Sequence, residues 1–132
     1  MDKLFINLTD RDSIIPSEEV EGAMLRHFSN AVNIEWFYEN GVYETIFYLD
    51  NKEYIAKFDR NARLIDYRVN LPLDLLPVTI EKSIDPEKEI MNLVEIHKNN
   101  AISYELILRN KELIRFVALF SQTGEKLSMK EL

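Results

Sequence analysis

The sequence predicts an α+β fold of two tandem α-β-β-β-β units, an antiparallel sheet with helices packed on one face. Three observations predict it. Apolar residues recur at helical spacing in two short stretches, each opened by a proline. Alternating runs follow each stretch, divided by Asn-Gly, Asp-Asn and Asn-Asn steps that suit tight hairpins. The halves also echo one another: Ile15-Pro16 and Leu76-Pro77 stand 61 positions apart, as do Tyr43-Glu44 and Tyr104-Glu105. The expected organisation is an N-terminal extension over 1–14, a first repeat over 15–71 and a second over 72–132, forming one continuous structural domain.

The first helix is expected over about residues 17–29. Pro16 and Ser17 suit its start, Glu18 and Glu19 favour its dipole, and Val20, Met24 and Phe28 form one apolar stripe. Gly22 weakens it or admits another backbone. In the first strand Val32, Ile34, Trp36 and Tyr38 read as one face, interleaved with Asn33, Glu35 and Phe37. Asn40-Gly41 then turns the chain into a strand over 42–49, and Asp50-Asn51 turns it again into 52–58. A two-residue turn there sets Phe47 opposite Tyr54, Thr45 opposite Ala56 and Tyr43 opposite Phe58. On the other face it sets Ile46 opposite Ile55, Glu44 opposite Lys57 and Tyr48 opposite Glu53, which segregates aromatics and pairs opposite charges. After a loop at 59–62, a fourth strand covers 63–69.

The second half opens with a shorter helix at Leu76-Pro77, with Ile80 and Ile84 one turn apart and Asp85-Pro86 as its stop. Strands are expected near 90–98, 102–108, 113–120 and 126–130. Asn51-Lys52-Glu53 and Asn110-Lys111-Glu112 stand 59 positions apart, two fewer than the other matches. An even difference preserves the facing of every side chain, so the second sheet is expected to repeat the first.

Composition removes several functional classes. A net charge of −7 with no basic run disfavours nucleic acid and anionic membranes. The absence of Cys removes disulfides, thiolate nucleophiles and Cys-ligated zinc. No apolar stretch approaches the ~20 residues of a membrane-spanning helix, and Met1-Asp2-Lys3-Leu4-Phe5 lacks the marks of an export signal. His27 and His97 lack partners at metal-ligand spacing, and residues 59–63 only echo the opening of a calcium loop, without its glycine or distant glutamate. No nucleophile-elbow, Walker or dinucleotide pattern occurs. The reading is therefore a non-enzyme, with no catalytic residue, no metal and no cofactor.

Several segments resemble the PepSY-like proteins of Bacteroidetes. They are Leu76-Pro77, residues 30–36, the hairpin over 39–44, Lys52-Glu53-Tyr54 and Phe58-Asp59. The resemblance implies a β-lactamase inhibitor protein-like (BLIP-like) fold in tandem repeat, a periplasmic or secreted location, and binding or inhibition of a protein. It brings no catalytic residues. The second half departs from the pattern, with Val94 at the Trp36 position and Phe120-Ser121 in place of Phe58-Asp59.

A surplus of apolar residues marks the candidate binding surface. With the helices on the face of Tyr43, Phe47, Tyr54 and Phe58, the matching face of the second half carries Tyr104, Leu106, Leu108, Leu113, Val117 and Leu119. Alternation then sends Ile107, Ile114, Phe116, Ala118 and Phe120 to the opposite face, joined by Ile46, Tyr48 and Ile55. Each large apolar side chain left in water forgoes ~1.5–3 kcal/mol of burial, so this face needs a cover. Three covers are open: the segment Leu4-Phe5-Ile6-Asn7-Leu8, a second copy in a homodimer, or a partner protein or apolar ligand. The expected function is a non-catalytic protein-binding module, inhibitor-like, acting through Ile46, Tyr48, Ile55, Ile107, Ile114, Phe116 and Phe120. The alternatives are a carrier of a small apolar ligand between helices and sheet, or a purely structural homodimer.

Overall fold

A computed structural model describes residues 12–132. The segment over 4–8 weighed above as a cover lies outside them. The chain divides into two compact units, with the boundary between Val69 and Asn70.

In the first unit, Ser17 caps α1 (Glu18–His27) by accepting the Val20 amide on its hydroxyl at 3.3 Å. Four antiparallel strands follow in chain order: β1 (Val32–Glu39), β2 (Val42–Leu49), β3 (Lys52–Asp59) and β4 (Leu64–Leu71). The β1–β2 and β2–β3 turns have two residues each, Asn40-Gly41 and Asp50-Asn51, all at positive φ. Such mirror-image turns match the twist of paired strands. The register of β2 on β3 follows the expectation at every pair named above. Val20, Ala23 and Met24 of α1, with Phe28 at its C-cap, close over Trp36, Phe47, Ala56 and Phe58, forming a buried aromatic core.

The expected single face of β1 is interrupted. Asn33 adopts φ 54°, and one extra residue enters between the Val32–Tyr48 and Glu35–Ile46 pairs. This bulge rotates the strand start. Trp36 and Tyr38 keep the α1 side, while Val32 pairs with Tyr48 on the other side.

The second unit begins with a 3-10 turn (Leu73–Leu75) and α2 (Val78–Glu81), followed by β5 (Glu89–Lys98), β6 (Ala101–Arg109), β7 (Arg115–Ser121) and β8 (Lys126–Glu131). These strands are also antiparallel in chain order. Ile80 and Ile84 anchor α2 on Leu93, Tyr104, Leu106, Leu108, Ala118 and Phe120. The β7–β8 turn locks against α2. The Ser83 hydroxyl donates to the Gly124 carbonyl at 2.7 Å, and a Cβ on Gly124 would stand 2.3 Å from the Thr79 carbonyl oxygen.

Eight strands against two α-helices of ten and four residues make the described chain mostly β. That corrects the expected α+β class with a helix layer on each of two equivalent units. The reason is local: Pro77 starts α2 late, and the Ser83 and Ile84 amides bond three residues back, to Ile80 and Glu81, so the α-helix stops at Glu81 and a single turn remains where a layer was expected.

Candidate functional site

On the first unit the expected surface assembles. Ile46 pairs with Ile55 and Tyr48 with Glu53, on the face away from α1. Ile55 is buried, Ile46 is half-buried, and Tyr48 is 40% exposed. The Tyr48 hydroxyl donates to Glu53 Oε2 at 3.2 Å, and the neighbouring Glu53 charge raises its pKa. Phe37 belongs to this face and was missed: it pairs with Glu44 and is only 3% exposed. A signal was available, because a two-residue turn at Asn40-Gly41 sets Phe37 beside Glu44. Lys57 Nζ lies 3.7 Å from Glu44 Oε1, on the rim of an open depression of about 370 Å³ lined also by Val42, Ile65 and Asp66.

On the second unit the expected facing is reversed along β7. Phe120 pairs with Tyr104, Ala118 with Leu106 and Phe116 with Leu108, all on the α2 side. Phe120 is a core residue at 1% exposure and Phe116 is half-buried beneath the Lys88 ammonium, so neither belongs to an open surface. Val117 and Leu119, expected toward the helix, lie on the far face with Ile107. Ile114 and Leu113 are exposed members of the β6–β7 loop and face no sheet partner. Of the four second-half residues expected on this surface, only Ile107 reaches the far sheet face, where it is buried beside Val94 and Ile96.

The reversal has a physical cause. The β6–β7 connection is a five-residue loop flanked by the Arg109–Arg115 pair, not the short turn implied by Asn110-Lys111-Glu112. Asn110 Oδ1 accepts the amides of Glu112 and Ile114, and Leu113 takes φ 67°. The Asp59 loop is built identically: Asp59 Oδ1 accepts the amides of Asn61 and Arg63, with Ala62 at φ 63°. That carboxylate oxygen therefore serves its own turn, which accounts for the faint calcium-loop likeness.

One cluster of titratable groups was not anticipated. On the α2 side of β5 and β6, Glu95 accepts the Tyr104 phenol at 3.0 Å on one oxygen and meets His97 Nε2 at 2.7 Å on the other. Burial foremost, then Glu95, pushes the Tyr104 phenol up to about 12. A phenol so held is a hydrogen-bond donor at neutral pH, not a nucleophile. Among the described residues no group of three or more His, Cys, Asp or Glu can hold a metal ion, and no helix is long and apolar enough to cross a membrane. A second concavity is an open groove of about 560 Å³ beside α2, lined by Val78, Ile84, Pro86 and Ile90 with Glu81, Lys82, Asp85 and Lys88.

No family model and no curated protein matches the chain. Solved structures do. A BLIP-like protein from Bacteroides fragilis superposes with a TM-score of 0.80 at 19% identity, over 96% of this chain and 92% of that one. A DUF2874 family protein from Bacteroides uniformis gives 0.80 at 14% identity, over 89% and 90%. A Bacteroides eggerthii protein provisionally assigned to the periplasm gives 0.80 at 14%, again over 89% and 90%. At these identities the likeness is one of fold, and the fold of this chain is BLIP-like.

Proposed function

We propose that this chain is a non-catalytic protein-binding module of the inhibitor-like kind, docking its partner on the sheet face away from α1. The observation that supports it is one rigid strand pair carrying Ile46, Tyr48 and Ile55 beside Phe37, apolar at the centre and charged around it. Strands joined by two-residue turns hold side chains in place before binding, which lowers the entropic cost of association. The BLIP-like fold agrees with this use of a sheet. The 61-residue spacings support a PepSY-like tandem origin of the two halves. The provisional periplasmic assignment of the B. eggerthii protein supports a periplasmic or secreted place of action.

The test pairs capture with folding. Immobilised wild type and the Ile46→Ala/Tyr48→Ala variant are exposed to extract from the protein's own host. A partner retained by wild type and lost by an equally stable variant is expected; the same partner on both would end this reading.

A second reading, carriage of a small apolar ligand, is favoured by the groove beside α2, whose apolar lining of Val78, Ile84, Pro86 and Ile90 is edged by charges of both signs, Glu81 and Asp85 with Lys82 and Lys88. Native mass spectrometry of protein from its host should then show an added mass. A clean unliganded spectrum counts against it.

A further inference from the structure

β8 pairs with β7 along one side, and among the described residues no strand pairs along the other. All six of its residues are exposed, Leu127 at 51% and Met129 at 36%. The outer edge of β1 in the first unit differs, because the Ile14 amide already donates to the Trp36 carbonyl there. On β8 the Leu132 amide donates to the Arg115 carbonyl at 2.9 Å, which fixes the facing of the backbone. Backbone groups alternate sides along an antiparallel strand. Ser128 and Lys130 therefore also turn theirs to β7, while Met129 and Glu131 turn theirs outward. The side chains sort as well. Glu131, Met129 and Lys126 pair with Phe116, Ala118 and Phe120 on the α2 side, and Ser128 and Lys130 lie on the far side.

An open row of amides and carbonyls is a template for another strand, and lysines on an edge ordinarily block such pairing. Here Lys126 and Lys130 block every alignment of β8 with an antiparallel copy of itself but one. Outward residues must meet outward residues. Met129 opposite Glu131 would set Lys130 against Lys130, and Glu131 opposite Glu131 joins two like charges. Met129 opposite Leu127 would set Lys126 against Lys130. Met129 opposite Met129 instead places Lys130 across from Ser128, and Glu131 across from Leu127 and next to the other copy's Lys126. The two-fold axis repeats that Glu131–Lys126 contact, and within the chain neither residue is ion-paired among the described residues. We infer that the chain forms a homodimer by antiparallel pairing of β8 with β8 of a second copy, centred on Met129. The central pair exchanges two backbone hydrogen bonds, the Met129 side chains cover one another, and the charge pairs fix the register.

The chain has no cysteine, so single cysteines report the alignment directly. Sedimentation velocity on the full chain should show a concentration-dependent equilibrium between monomer and dimer. Under mild oxidation Met129→Cys should cross-link at least about tenfold faster than Ser128→Cys, because the two 129 positions face each other within disulfide reach while the two 128 positions stand about 8 Å apart. Glu131→Lys turns its contact with Lys126 repulsive and should weaken association at least about fivefold; adding Lys126→Glu to it should restore association. Met129→Pro removes an outward amide that β7 does not use, so it should abolish pairing and leave the thermal melt near that of wild type. Glu131→Lys alters an exposed side chain, which keeps the test independent of how the proline variant folds. A wild type that stays monomeric overturns the inference and leaves this edge to an extended segment of another protein. Equal cross-linking at 128 and 129 overturns it too, as does association indifferent to Glu131→Lys.

Discussion

Tyr104 shows how much a single residue of the second unit depends on its surroundings. Its phenol is buried and donates to Glu95, whose other oxygen meets His97. Both surroundings disfavour tyrosinate, and the folded-state pKa rises from 10.0 to about 12. In the unfolded chain the phenol ionises at its ordinary value, so between these two pH values only the unfolded state has lost the proton. The stability tied to neutral Tyr104 is therefore complete below pH 10 and disappears as pH rises through about 12. Tyr104→Phe removes the donor and the titration together. At neutral pH it should cost about 1.5–3 kcal/mol, the range for a hydrogen bond to a charged group. The gap to wild type should then shrink as pH climbs through 10 to 12. Urea midpoints of both proteins across that range measure it, and a gap independent of pH would show that the Glu95 contact does not hold the proton.

Among the elements, the loops decide which residues the strands present. The β2–β3 register was legible because Asp50-Asn51 is a two-residue turn, and aromatic pairing and charge pairing agreed on one alignment. On β7 the same logic failed by one residue. Asn110-Lys111-Glu112 looks like Asn51-Lys52-Glu53, yet Asn110 opens a five-residue loop, and an odd change in register exchanges the two faces. Phe120, expected outside, is thereby placed in the core. The better template was the Asp59 loop, where a side-chain oxygen at the first position gathers two amides and the fourth residue takes positive φ. Ser121 to Glu125 repeats the device, with the Ser121 hydroxyl accepting the Glu125 amide and Gly124 at φ 92°. The bulge at Asn33 had no comparable signal, since nothing in the local alternation marks an extra residue. If the Asn110 side chain sets the β6–β7 loop, Asn110→Ala should destabilise the protein by about 1–2 kcal/mol through the two amide hydrogen bonds lost with its oxygen. Asn110→Asp, which keeps the oxygen, should retain most of that. Thermal melts separate these outcomes, and an Asn110→Ala protein as stable as wild type would show that the side chain does not determine the loop.

For the whole molecule, the net charge of −7 conceals two faces of opposite sign. Composition alone therefore excluded nucleic acid from the reading without revealing a basic face, because facing depends on register and composition does not contain it. The same separation explains why the fold is shared at TM-score 0.80 with proteins only 14–19% identical while no family model matches. Alternation and turn geometry specify a sheet, and many residue identities satisfy them.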